Sequence, residues 1–396
     1  VLLSSDVFKK NLGRKIRYLR EHFGLSQSEL AERVGWSSQH VIVGNIESGD
    51  REVKAWELLK LSDIFKINVS DLLSQEQIPA GEQKSPPQYV LWRKQADEKI
   101  RVEQEARFFS IIKRYVFLEQ AVELPNRKKV TRNFPSFSLD LVNTTFQQVY
   151  SLAETCRHEL GLGNFPAKNL VSVLEDEYQV KIVYLELDAE QGSAACTRGD
   201  GTSSIMLNVN EVPWRRNFSI AHEFFHIVTW NKELFAQISS SPELTEKNEQ
   251  YANAFAAGLL MPSEQTKHLI EQYKTSEGKI SFADLIAIAR EFEVSTEALI
   301  WRLVGLNIIR QKIGKKLVAS SELKSLEFDS VEERRNRDHF RSWRFVRLAY
   351  QAHARGRLSR SQFANYLGVS LVDLDQTLAE FGLAEVDGPE IEISNS

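Results

Sequence analysis

The chain has 396 residues, 42% apolar and 26% charged, with a net charge of −4. That length predicts two or three domains, each able to bury its own core. The near-neutral balance excludes a protein that coats nucleic acid over its whole surface, so any DNA contact must come from a local patch. Two cysteines, Cys156 and Cys196, are too few for a disulfide framework and sit in no C-x-x-C pattern, which marks them as idle thiols. No apolar run has the length of a membrane span, and no signal-peptide pattern opens the chain. A cytoplasmic protein without membrane contact is expected.

From Phe8 to Glu21, Leu12, Ile16 and Leu19 alternate with Lys9, Lys10, Arg14, Lys15, Arg17 and Arg20, the pattern of an amphipathic helix with a basic outer face. Ser26 and Glu29 then form a capping box for a helix that Gly35 ends. Ser37 or Ser38 caps the next helix, which runs to Ile46-Glu47-Ser48-Gly49. Two short helices joined by a Gly-containing turn describe a helix-turn-helix. Leu-Ser-Gln-x-Glu-Leu-Ala-x-x-Val-Gly followed by Ile-Glu-x-Gly, continuing through Ala55–Leu61 to Val69–Leu73, is similar to the XRE (lambda-repressor-like) family. The resemblance implies a second helix that enters the major groove, with Gln39, His40 and Asn45 as base readers and Gln27 near the backbone. Arg51 and Lys54 are candidates for phosphates. A homodimer on paired half-sites is the corresponding assembly, and a module that docks protein rather than DNA is the alternative.

Residues 76–125 read as a linker and a connecting helix. Residues 74–88 are rich in Gln, Pro, Gly and Ser, and Leu91 to about Glu123 carries Phe108, Ile112, Tyr115, Val116 and Leu118 at helical spacing, its charges forming a solvated face. Thr145–Leu160 and Pro166–Tyr178 read as helices. Lys181–Leu187, Ser193–Thr197 and Ser203–Val209 read as strands of a small antiparallel sheet.

Next comes Arg215-Arg216-Asn217-Phe218-Ser219-Ile220-Ala221-His222-Glu223-Phe224-Phe225-His226, an H-E-x-x-H inside an apolar run. On a helix, positions i and i+4 share a face, so His222 and His226 can direct two imidazoles at one metal ion, with Glu223 placed to accept a proton from water. A third ligand is needed downstream. Glu249 opens a helix whose Ala252, Ala256 and Ala257 permit close packing. Glu243 and Glu246, in the Ser/Pro-rich stretch before it, are rivals. Arg-x-x-Phe-Ser-x-Ala-His-Glu-x-x-His followed by Glu-x-x-Ala-Asn-x-Phe-Ala-Ala-x-Leu-Leu-Met-Pro resembles the ImmA/IrrE family of metallopeptidases over about residues 145–310. That resemblance implies zinc on His222, His226 and Glu249, a catalytic Glu223, and helix-turn-helix repressors as substrates. A carboxylate ligand also tolerates manganese. Tyr251, Arg215 and Arg216 are candidates for stabilising the oxyanion.

Ser281 and Ser295 cap two further helices of the same domain. Residues 311–335 read as a charged connector. Beyond it, Leu358-Ser-Arg-Ser-Gln-Phe-Ala-Asn-Tyr-Leu-Gly-Val-Ser370 has a second helix-turn-helix look within a structural or partner-sensing segment. The expected fold is mainly α with a small β-sheet. It comprises an all-α helix-turn-helix domain (1–75), the connecting segment (76–125), an α+β zincin-like peptidase domain (126–310) and a C-terminal helical domain of unknown role (311–396). The expected function is a DNA-associated zinc metallopeptidase that cuts a regulatory protein. The alternative is a transcription regulator whose peptidase-like domain senses a ligand or metal.

Overall fold

The computed structural model describes residues 5–22, 25–36, 39–65, 69–73, 88–92, 98–122, 137, 139–187, 194–198, 203–229, 234, 238, 241–329 and 341–383. Among the described residues the chain is mainly helical with one small sheet. It divides into two compact units, residues 1–88 with 95–113 and residues 89–94 with 114–396.

The first unit contains α1 (Ser5–His22), α2 (Gln27–Val34), α3 (Gln39–Ser48), α4 (Ala55–Ile64) and α5 (Val69–Leu73). Leu12, Ile16, Leu30, Ala31, Val34, Val43, Ile46 and Leu61 build its core. Ser26 and Glu29 close the capping box at the start of α2, and Gly35 ends that helix at φ 90°, a conformation that favours glycine. Ser37 and Ser38, the expected caps of α3, lie outside the described residues. Arg20 on α1 donates to Glu47 on α3 at 2.6 and 3.2 Å and to the Leu25 carbonyl at 2.9 Å, tying the helix pair to the first helix from inside.

The boundary between the units falls inside α6 (Glu98–Val122), which follows β1 (Gln88–Trp92). The single helix expected from Leu91 is therefore corrected. Gln-Tyr-Val-Leu-Trp is too short to show a 3.6-residue period, and its aromatic and β-branched content suits a strand. Glu119 departs from the expected solvated face as well. It is buried and paired with Lys181 at 3.2 Å and Arg344 at 2.7 Å.

In the second unit α7 (Phe146–Glu159) starts on a Thr145–Gln148 capping box, and α8 (Ala167–Ser172) runs on into a π-helical turn, Val173–Glu177. The sheet has the order β1-β3-β4-β2, with β2 (Lys181–Leu185), β3 (Ala194–Arg198) and β4 (Ser203–Asn208). It is mixed rather than antiparallel. β4 runs antiparallel to β3, Ala194 opposite Met206, but parallel to β2, Lys181 opposite Ser204. Insertion of β4 between β2 and β3 accounts for this, and all six of its residues are buried, as in a strand covered on both faces.

Helices α9 (Pro213–Val228) and α10 (Pro242–Leu260) follow. Then come α11 (Ser263–Tyr273), α12 (Phe282–Glu291) and α13 (Thr296–Gly305), the last two capped by Ser281 and Ser295. Residues 141–303 share one apolar core. The expected connector is instead helical through residue 329, as α14 (Gln311–Val318) and α15 (Ser321–Asp329). Its charges mask a structural role: Glu327 accepts from Thr296 N and Oγ1 at 3.0 Å and from Arg290 at 3.2 Å. Helices α16 (Trp343–Ala354), α17 (Arg360–Leu367) and α18 (Leu374–Glu380) complete the described chain. Cys156 is buried, which pushes its thiol up to about 12 and keeps it unreactive.

Candidate metal centre

Helix α9 begins with Pro213 at its first turn and is buried almost throughout from Trp214 to Val228. Phe224 and Phe225 pack on Phe255 of α10, with Phe225 and Phe255 centroids 5.5 Å apart. Helix α10 also meets α7, where a Cβ on Gly258 would press on Ala153 and Tyr150 at 3.0 Å. This packing fixes the register between α9 and α10 and so sets what faces what.

His222 and His226 stand one turn apart on one face of α9, their Nε2 atoms 3.4 Å apart. Glu249 of α10 closes the triangle, with Oε2 3.0 Å from His222 Nε2 and Oε1 3.3 Å from His226 Nε2. These donor atoms lie within 4.8 Å of one another, and they form the one such group among the described residues. The rival carboxylates Glu243 and Glu246 belong to the first turns of α10, not to a loop, and are exposed away from the group. Burial works against ionisation of Glu249. The hydrogen bonds and charge of His222 and His226 outweigh it and hold the carboxyl well below the usual carboxylate range.

The far nitrogens of both rings are held. His222 Nδ1 lies 3.0 Å from Asn253 Oδ1, an acceptor that selects the tautomer with a lone pair on Nε2. Asn248 Nδ2 is 3.3 Å from His226 Nδ1. Turning that amide over would let Oδ1, buried and otherwise without a hydrogen bond, accept from the ring in the same way. Two imidazoles with oriented lone pairs and one ionised carboxylate are the donor set of an open, three-ligand zinc site, so the residues fit a metal. Glu223, next to His222, is fully buried. Of the oxyanion candidates, Tyr251 donates to the Thr144 carbonyl, and Arg216 to the carbonyls of Val209 and Glu211 at 3.0 and 2.9 Å. Arg215 is exposed. Asn248 and Asn253 escaped the sequence reading. The available signal was helical spacing, since Asn253 follows Glu249 by one turn.

Residues 175–304 match the profile of the IrrE N-terminal-like domain of the M78 peptidases, and residues 16–72 match a helix-turn-helix profile. The chain joins a helix-turn-helix domain to an IrrE N-terminal-like peptidase domain. No curated protein matches it. Among solved structures, a transcriptional regulator from Mycobacterium tuberculosis is similar at 17% identity and a TM-score of 0.30, over 49% of this chain and 51% of that one. The chain thus spans about half the length of that regulator. ComR from Streptococcus suis aligns at 10% identity and a TM-score of 0.15, over 94% of each chain.

In the helix-turn-helix domain, Gln39 and His40 open α3, and Asn45 is exposed on the same helix. Gln27, at the start of α2, is half-buried and donates to Glu47 at 2.9 Å. Lys54 is exposed, whereas the Arg51 fork is engaged by the buried Glu57 at 2.6 and 3.0 Å and lies over the Trp36 ring. Arg51 therefore already serves to hold the start of α4.

Proposed function

We propose that the chain is a DNA-associated zinc metallopeptidase that hydrolyses a peptide bond in a regulatory protein, a helix-turn-helix repressor by the sequence resemblance, and so controls transcription. One observation carries this reading: His222, His226 and Glu249 converge, with their rings oriented by asparagines, beside a buried Glu223. His222, His226 and Glu249 would hold the ion. Bound zinc would supply positive charge that acidifies water and polarises the scissile carbonyl. Glu223 accepts the proton from the attacking water and passes it to the leaving nitrogen. Asn253 and Asn248 keep the imidazoles aimed at the ion. The helix-turn-helix domain would bring this chemistry to an operator, with Asn45, Gln39 and His40 toward bases, Gln27 near the backbone, and Lys54 and Arg51 toward phosphate.

Metal analysis tests the centre directly. Purified protein should carry about one zinc per chain. His226→Ala should lose it, and Glu249→Gln should bind it far more weakly. Full metal content in both variants would remove the site.

A further inference from the structure

A groove of about 1330 Å³ lies beside the metal centre in the second unit. Arg215 and Phe218 line it from α9, and they precede His222 by seven and four residues, which places them on the helix face that carries His222 and His226. Gln250, Asn253, Ala254 and Ala257 line it from α10, again one helix face. Asn253 belongs both to the groove and to the metal centre, because it holds His222. The groove thus reaches the edge of the centre at Asn253, one turn beyond Glu249 on α10.

Its chemistry is mostly apolar. The small Ala254 and Ala257 lie alongside the aromatic rings of Tyr150, Phe218 and Trp301, Gly305 packs directly against the Tyr150 hydroxyl, and Trp301 is 37% exposed. Of the charged residues on its walls, Glu327 is already engaged by Arg290 and Thr296, while Arg215 and Lys324 are balanced in part by Glu297. Charges of both signs give no strong selection by charge. A pocket for a drug-sized ligand measures about 300–1,000 Å³, so this groove has room for several peptide residues.

We infer that the groove binds the substrate chain in extended form and selects a bulky apolar side chain next to the bond that is cut. The assignment rests on the metallopeptidase reading above. The apolar side chain lies among Ala254, Ala257, Phe218 and Trp301, while Asn253 keeps its carbonyl oxygen on His222.

The test uses full-length, zinc-loaded Glu223→Gln protein and fluorescein-labelled octapeptides of Gly, Ser and Ala with one variable central residue. By fluorescence anisotropy, Leu and Phe peptides should bind about tenfold or more tightly than Ser and Asp peptides. Ala257→Trp should fill the groove and erase that preference while zinc content stays the same. Should Ala257→Trp not fold, Trp301→Ala, at a partly exposed position, should weaken Leu and Phe binding at least about threefold with thermal stability unchanged. Equal affinity for all four peptides, or a preference that survives these substitutions, overturns the assignment. Selective binding with no cleavage by the parent protein would uphold the groove and defeat the peptidase reading. Cleavage of all peptides without selectivity would do the reverse.

Discussion

Glu175 is buried in the π-helical turn, where its Oε1 accepts from Tyr115 at 3.2 Å and from Ser342, which itself lies 3.0 Å from Tyr115. Burial is the main cause that raises its carboxyl to about 7. Hydrogen bonds from Ser342 and Tyr115 and the charge of Arg344 pull the other way, and Asp176 adds to the rise. The folded chain thus holds this proton more tightly than the unfolded one. Its stabilising contribution is complete below the ordinary value of 4.5 and is lost as pH rises through about 7. Glu175→Gln should accordingly raise the thermal midpoint at pH 8 and leave it nearly unchanged at pH 4.5, as differential scanning fluorimetry at the two pH values would show. An equal shift at both would mean that ionisation of Glu175 is not what costs stability. Nothing in the sequence pointed to this residue, because its partners Tyr115 and Ser342 are distant along the chain. His222, His226 and Glu249 were legible for the opposite reason. Their grouping depends on the period of one helix and on an alanine-rich neighbour able to lie close.

At the scale of elements, α1 and α3 of the first unit approach so closely that Gly13 is the only size of residue the contact accepts. A Cβ there would collide with the Ile46 carbonyl oxygen and come within 2.8 Å of the Glu47 carbonyl oxygen. Both obstacles are backbone, so neither can rotate away. Gly13→Ala should destabilise the unit by about 1–3 kcal/mol despite alanine's better helix propensity. A chemical-denaturation midpoint equal to or above the parent's would contradict this packing. Capped helices were readable from sequence where a serine precedes the apolar run, as at Ser26, Ser281 and Ser295. Two kinds of element were not readable. The strand Gln88–Trp92 is too short to show its period, and α14 and α15 are so charged that their anchoring through Glu327 has no apolar signature.

For the whole molecule, two profiles on one chain pair a DNA-binding domain type with a peptidase domain type. Helix and strand content followed from periodicity and the domain types from the family resemblances, but strand direction did not, since the course of β4 between β2 and β3 depends on long-range pairing. The central claim is that the chain cuts a protein with Glu223 as its proton acceptor. The most direct measurement compares the parent with Glu223→Gln, both at equal zinc content, against a purified helix-turn-helix repressor, with fragments identified by mass spectrometry. Glutamine keeps the shape of the side chain but cannot accept the proton, so the parent should give a defined cut and the variant should be slower by at least about 10²-fold. Equal cleavage by both proteins would contradict the account.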